Sequence, residues 1–314
     1  MDRFTAEPPR EALTQAARLQ APDPAYLRSR VERWSFPRDR KHFPAAIQTL
    51  EKELAQEWEA GGWEVERRPF AGGVNLLALK PGQTPATWVV GAHYDTLPQT
   101  PGADDNTASV VLLMELARLL TGRQLGDSVL LVAFDMEEEN LGGSRVLAPQ
   151  LAAERSLCGL VVLETLAYTD RRPGGQQVPP GLELLFPQQM ARMAAGGMAG
   201  DFTLFLYRQA SATLASRGAA WLDRIAGPGT SMLMRDPGEI PGIPVDPSVL
   251  RHFGRSDHLP FWELGVPSVM ITDTANFRNP HYHQPTDTPE TLDYQRLSDL
   301  TVAVAQTVIQ CAAS

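Results

Sequence analysis

Two histidines of this 314-residue chain sit in segments crowded with other metal-capable side chains. His93 lies in Gly91-Ala92-His93-Tyr94-Asp95-Thr96, and His283 in Asn279-Pro280-His281-Tyr282-His283-Gln284. Between them come Asp104-Asp105-Asn106 after Pro101-Gly102-Ala103, then Asp135-Met136-Glu137-Glu138-Glu139, then Glu164. Short apolar runs such as 128–134 and 160–163 precede these polar residues and read as buried strands that deliver them at their ends. Imidazole and carboxylate without thiolate suit zinc and admit manganese or cobalt. Gathered at adjacent strand ends, such donors are what a pair of metal ions needs to activate water for hydrolysis.

Each group also has a purely structural explanation. Asp95 caps a turn beside a loop histidine, or it accepts the far ring proton of His93 and fixes the tautomer of a metal ligand. Asp104-Asp105-Asn106 contains a helix N-cap, but one cap needs one residue. The surplus suggests Asp105 as a carboxylate with one oxygen on each of two ions, leaving Asn106 to cap. Glu137-Glu138-Glu139 is a solvated acidic loop, or a pair in which one Glu ligates and its neighbour takes a proton from water. Its place after a buried strand is where open α/β sheets put their sites. Glu164 either reaches solvent from its strand end or ligates. Ser256-Asp257-His258 and His281-Tyr282-His283 complete the set, with His281 equally a surface residue.

The elements that must position these groups follow from periodicity. Ile47, Leu50, Leu54 and Trp58 mark a helix from Pro44 to Ala60, stopped by Gly61-Gly62. Residues 63–70 and 73–80 read as a hairpin around Ala71-Gly72-Gly73. Strands are expected at 87–91, 128–134, 160–163, 203–207 and 266–272, the last at a sheet edge because of Pro267. Helices are expected at 106–120, 141–153, 210–225 and 289–311, the last capped by Thr288. Residues 1–24 read as an N-terminal arm, loose or helical from Arg10 to Leu19, and 25–314 as one domain. Pro/Gly-rich loops are expected around 171–181 and 228–248, near the cleft. The alternation of strand and helix argues for a single α/β/α domain with a central mixed, mostly parallel sheet.

Composition narrows the class. Lys plus Arg number 28 against 37 Asp plus Glu, a formal net charge of −9 with no basic stripe, which disfavours nucleic acid and anionic membranes. Cys158 and Cys311 are the only cysteines, too few for a disulfide framework. The start of the sequence has no apolar signal segment, and no run is long enough to span a membrane, so the expected location is cytoplasmic, with export the alternative if a leader has been removed. The oligomeric state is not legible. There is no Gly-rich phosphate loop, and Gly254-Arg255-Ser256-Asp257-His258 lacks the Gly-x-Ser-x-Gly turn of a serine hydrolase.

Taken together, the stretches 91–96, 101–106, Glu137-Glu138 with Leu141-Gly142-Gly143-Ser144, Ser256-Asp257-His258, and Tyr282-His283 with Asp287-Thr288 resemble the co-catalytic dizinc aminopeptidases of metallopeptidase family twenty-eight. The similarity extends over roughly residues 40–312. It implies a zinc-aminopeptidase fold and two zinc ions, one held by His93 and one by Glu138, with Asp105 bridging and Glu164 and His283 completing the shells. It further implies Glu137 as general base, Asp95 orienting His93, Tyr282 steadying the oxyanion, and Asp257 and His258 behind the ligands. A cis peptide is expected at Asp105–Asn106. One departure stands out: the family usually has Asp where this chain has Glu164, and the extra methylene bears on the second ion's affinity.

The activity so implied is release of N-terminal residues from a peptide substrate. Two further readings share the resemblance. Glutaminyl cyclases use one zinc to form N-terminal pyroglutamate, but tend to have Trp where this chain has Tyr282. Non-enzymatic homologues typically lose ligands, whereas every expected ligand position here carries a ligating side chain.

Overall fold

The computed structural model describes residues 6–240, 242 and 246–313. Its helices are α1 (Pro24–Trp34), α2 (Pro44–Ala60), α3 (Ala108–Leu120), α4 (Gly142–Glu154), α5 (Pro187–Ala195), α6 (Ala212–Ala226), α7 (His258–Glu263) and α8 (Tyr294–Cys311), besides isolated single turns. Its strands are β1 (Glu64–Phe70), β2 (Gly73–Lys80), β3 (Thr84–His93), β4 (Asp127–Phe134), β5 (Ser156–Glu164), β6 (Thr203–Tyr207), β7 (Ser231–Arg235) and β8 (Ser268–Thr272). They form one sheet in the order β1-β2-β4-β3-β5-β8-β6-β7. The neighbours β4, β3, β5 and β8 run parallel, and the hairpin β1-β2 is antiparallel, as is the β8/β6 pairing. The expected α/β architecture with a mixed sheet is therefore present.

The period of two along the central strands divides the core into two faces. Val90, Ala92, Val129, Leu131, Ala133, Val161 and Leu163 pack with α1, α2, α3 and α8. Val89, Leu130, Val132, Phe134, Leu160 and Val162 pack with Leu147 and Leu151 of α4 and Phe261 of α7. Covering on both faces explains why these strands read as continuous apolar runs. Helix α3 is buried except at Arg118, because α1, α2 and α8 lie over it, so its apolar residues need no single stripe.

Several expectations change. Residues 10–19 are not helical: this stretch lies along α6 and α8, where Ser216 accepts from Glu11 N, and Gln306 bonds both the N–H and the carbonyl of Ala17. Side chains thus satisfy backbone groups that a helix would have paired internally. Within the expected 228–248 loop, residues 231–235 form β7, parallel to β6 at the sheet edge, while residues 241 and 243–245 lie outside the described set. Strand β8 is central rather than an edge: Pro267 precedes it and offers only its carbonyl, to Leu160 N at 2.8 Å. Helix α8 begins at Tyr294 with Asp293 as cap, accepting from Arg296 N, and Thr288 introduces only a short turn. Among the described residues, no helix is long and apolar enough to cross a membrane.

Candidate metal centre

The parallel strands end at the same side of the sheet, and the candidate residues collect there. His93 is the last residue of β3 and Glu164 the last of β5, while Glu137 and Glu138 follow β4. Asp105 lies in the kinked turn 103–107 ahead of α3, and its peptide bond to Asn106 is cis. Asp287 takes the amide N–H groups of Asp104 (3.0 Å) and Asp105 (3.2 Å), which sets the direction of that turn. Asn106 does not cap α3. It donates to Leu163 O and accepts from Thr165 N, stitching the turn to the end of β5.

The two oxygens of Asp105 face different partners. Oδ1 is 3.2 Å from His93 Nε2, and that nitrogen is 3.5 Å from Glu164 Oε2. Oδ2 is 3.2 Å from His283 Nε2, which in turn is 3.3 Å from Glu138 Oε2. The structure therefore forms two donor groups, His93/Asp105/Glu164 and Asp105/Glu138/His283, that share one carboxylate. Within each, the donor atoms lie within 4.8 Å of one another, close enough to hold an ion.

Several of these atoms are buried without a hydrogen-bond partner: His93 Nε2, Asp105 Oδ2, Glu138 Oε1 and His283 Nε2. Buried polar atoms are normally satisfied, so the arrangement fits residents that are cations. Electrostatics agree. Burial opposes charge on His93, yet the carboxylates of Glu164 and Glu137 hold its imidazole well above the ordinary range. His283 is likewise held up at about 10 against burial, by Asp105 and Glu138. Burial raises Asp105, but the two imidazoles facing it outweigh that and hold the carboxyl below its usual range. Burial and the Asp105 charge push Glu138 up to about 7.

The longer Glu164 side chain still reaches the cluster, and its Oε2 accepts from the Ser256 hydroxyl at 2.8 Å. Asp95 Oδ1 lies 3.4 Å from His93 Nδ1, and its carboxylate also receives the N–H groups of Glu137 and Glu138. Glu137 stands beside the cluster. Its carboxyl is raised well above normal by burial and by the charges of Glu164, Asp257 and Glu138, with His93 opposing. Burial pushes Asp257 up to about 7 against His93 and the Ser144 hydroxyl. Glu139 is exposed and stands apart. His281 bonds Thr286 and lies outside both donor groups.

His258 departs from its expected place behind the ligands. Its Nε2 bonds Phe253 O at 2.8 Å and its ring stands edge-on to Trp262 at 4.4 Å. Burial lowers it to about 4. The polar end of this imidazole is used to hold a wall of the neighbouring pocket. Tyr282 stacks on His283 with centroids 3.8 Å apart, and its hydroxyl accepts from Arg255 Nη2 at 3.3 Å.

Beside Glu164 and Tyr282 opens a pocket whose apolar lining includes the buried side chains of Met193, Phe202, Met232, Met234, Phe253 and Met270. Gln176, Gln177 and Arg255 also line it. The segments 171–181 and 228–248, expected near the cleft, contribute Gln176, Gln177, Met232 and Met234, whereas the other wall residues were not identified in the sequence because they are spread over distant segments. Another support missed there is Arg38. The Arg38 guanidinium is buried and donates to the carbonyls of Trp34, Phe36, Tyr94 and Pro101, bracing the segment that carries Asp95.

The family model "Peptidase family M28" matches residues 75–188 and 223–308, and the chain belongs to that family. It is 36% identical over 226 residues to the uncharacterized protein YfbL of Escherichia coli K12, across 68% of this chain and 63% of that protein. Its fold is similar to BSAP, a zinc aminopeptidase from Bacillus subtilis, with TM-score 0.56 and 20% identity, over 77% of this chain and 51% of that one. It is also similar to a glutaminyl cyclase from Fimbriiglobus ruber, with TM-score 0.62 and 20% identity, over 96% and 99% of the two chains.

Proposed function

We propose that the protein is an aminopeptidase that releases apolar N-terminal residues from peptides, with two zinc ions held by His93, Asp105, Glu138, Glu164 and His283. The observation that carries this reading is the divided carboxylate of Asp105, one oxygen toward each histidine. Bound there, two such ions would polarise the scissile carbonyl and lower the pKa of a nearby water towards about 7.

The chain's own groups then divide the work. Glu137 takes the proton from the attacking water and returns it to the leaving amine, a role that its raised affinity for protons favours. Asp95 holds the His93 ring through Nδ1. The Tyr282 hydroxyl accepts from Arg255, so its own proton is free to be donated to the developing oxyanion. The methionine-rich pocket takes the apolar side chain, and polarisable, unbranched methionine walls adapt to more than one shape. In this reading residues 25–314 form the catalytic domain and 1–24 the arm.

The full-length likeness to a glutaminyl cyclase favours a second reading, one zinc and pyroglutamate formation. Elemental analysis of protein purified without chelator, run beside product analysis, separates them. Two zinc ions and free leucine from a Leu-peptide support the peptidase. One ion, with ammonia released from a Gln-peptide and no hydrolysis, supports the cyclase.

A further inference from the structure

Arg255 lines the pocket together with Glu164 and Tyr282, and it is exposed. Some exposed arginines pair with carboxylates, as Arg28 does with Glu32, Arg33 with Glu53, Arg145 with Glu263 and Arg171 with Asp293. Arg18, Arg224 and Arg251 are exposed without an ion pair among the described residues, but do not line the pocket. Among the described residues Arg255 forms no ion pair. Its Nη1 donates to Asn276 Oδ1 at 2.6 Å and its Nη2 to Tyr282 Oη at 3.3 Å, both neutral acceptors. These two contacts, and its stacking toward the Tyr282 ring at 5.7 Å, fix the guanidinium plane while leaving its charge uncompensated. A guanidinium held in place with donors to spare is suited to a carboxylate.

The position indicates which carboxylate. Arg255 is exposed and bonded to Tyr282, whereas the apolar lining residues Met193, Phe202, Met232, Met234, Phe253 and Met270 are buried, so the charge does not sit where an apolar side chain would lodge. Arg255 Nη2 is one hydrogen bond, 3.3 Å, from the phenol assigned above to the scissile carbonyl oxygen. Successive residues of a peptide are about 3.8 Å apart. A carboxylate on the residue just after the scissile bond therefore lies within reach of the guanidinium. We infer that Arg255 is a specificity-determining residue that binds the free α-carboxylate of a short substrate, so that dipeptides ending in a free acid are the preferred class.

This rests on the aminopeptidase reading for the direction of the peptide, and the test separates the two. Zinc-loaded protein is assayed on Leu-Gly as the free acid and as its amide. It is also titrated calorimetrically with the same pair carrying a reduced, non-cleavable bond. The acid is expected to show a KM and a Kd about 10–100-fold lower than the amide, the size of one charge-assisted contact. The acid-to-amide ratio should fall to about one in Arg255→Met and recover largely in Arg255→Lys. Equal values for acid and amide, no binding of either analogue, or a ratio that survives Arg255→Met would overturn the inference. Preferential binding of the acid analogue without hydrolysis of either peptide would leave it standing and instead reject the aminopeptidase.

Discussion

The donor cluster and the pocket beside it share Glu164 yet are built on opposite principles. In the cluster, histidines His93 and His283 are surrounded by carboxylates that favour their protonated forms over the cost of burial. His258, buried like His93, instead meets Phe253 and Trp262, and burial wins, lowering it to about 4. The same side chain is thus set toward positive charge in one region and toward neutrality in the other. A cluster of buried acids is costly unless cations fill it, whereas the pocket wall is stable when empty of charge. In the proposed reading the first region holds ions and the second an apolar side chain.

That contrast can be broken most sharply at the shared carboxylate. Asp105→Ala is expected to remove both ions and bring peptide hydrolysis to background, read by elemental analysis and a Leu-peptide assay. Retention of two ions would sink its bridging role. Next in size, Glu137→Gln should lower kcat by about 10²–10⁴-fold. Its metal content and melting temperature should match the parent, and near-normal turnover would remove Glu137 as the base. On the pocket side, Met234→Trp should leave metal content alone and fill space. The expected result is a loss of roughly 10–200-fold in kcat/KM for Leu-peptides relative to Ala-peptides, the scale of discrimination by an apolar pocket. An unchanged ratio would place the N-terminal side chain elsewhere.

The smallest expected effect is on stability. The folded pKa of His258, about 4, lies below its unfolded value near 6.5. The folded state therefore binds fewer protons than the unfolded one between these values. Its contribution is intact above pH 6.5 and is lost as pH falls toward 4, by about 3 kcal/mol in all. Urea unfolding across this window should show a shallower slope in His258→Gln, and identical slopes would mean that the ring titrates alike in both states.

How legible each region was in the sequence follows the same division. The donors could be read because each is a chemically distinctive residue placed just after an apolar run: His93 after β3, Glu137 and Glu138 after β4, Glu164 closing β5. Strand β7 was hidden because Met232, Leu233 and Met234 lie between Gly/Pro-rich segments and methionine carries little strand signal. Pro267 misdirected the placement of β8, since a proline just before a strand looks the same in sequence as one within it. The adjacency of Asp257 and His258 suggested a common task, yet at the start of α7 the two side chains diverge, one toward the donor cluster and the other toward Phe253.

The sequence by itself determined the kind of chemistry and the kind of fold. Residue type sets which ions can be held, and apolar runs spaced by helices leave a sheet covered on both faces as the way to bury them. Only the tertiary structure decided the rest: which oxygen of Asp105 faces which histidine, that Ser256 anchors the longer Glu164, and that Arg255 stands beside Tyr282 without a counter-ion. The pocket belongs to the same category, because its wall joins Met193 of α5, Met232 and Met234 of β7, Phe253, and Met270 of β8. No local pattern encodes such a surface. It arises where separate elements, each folded for its own reasons, leave a space between them.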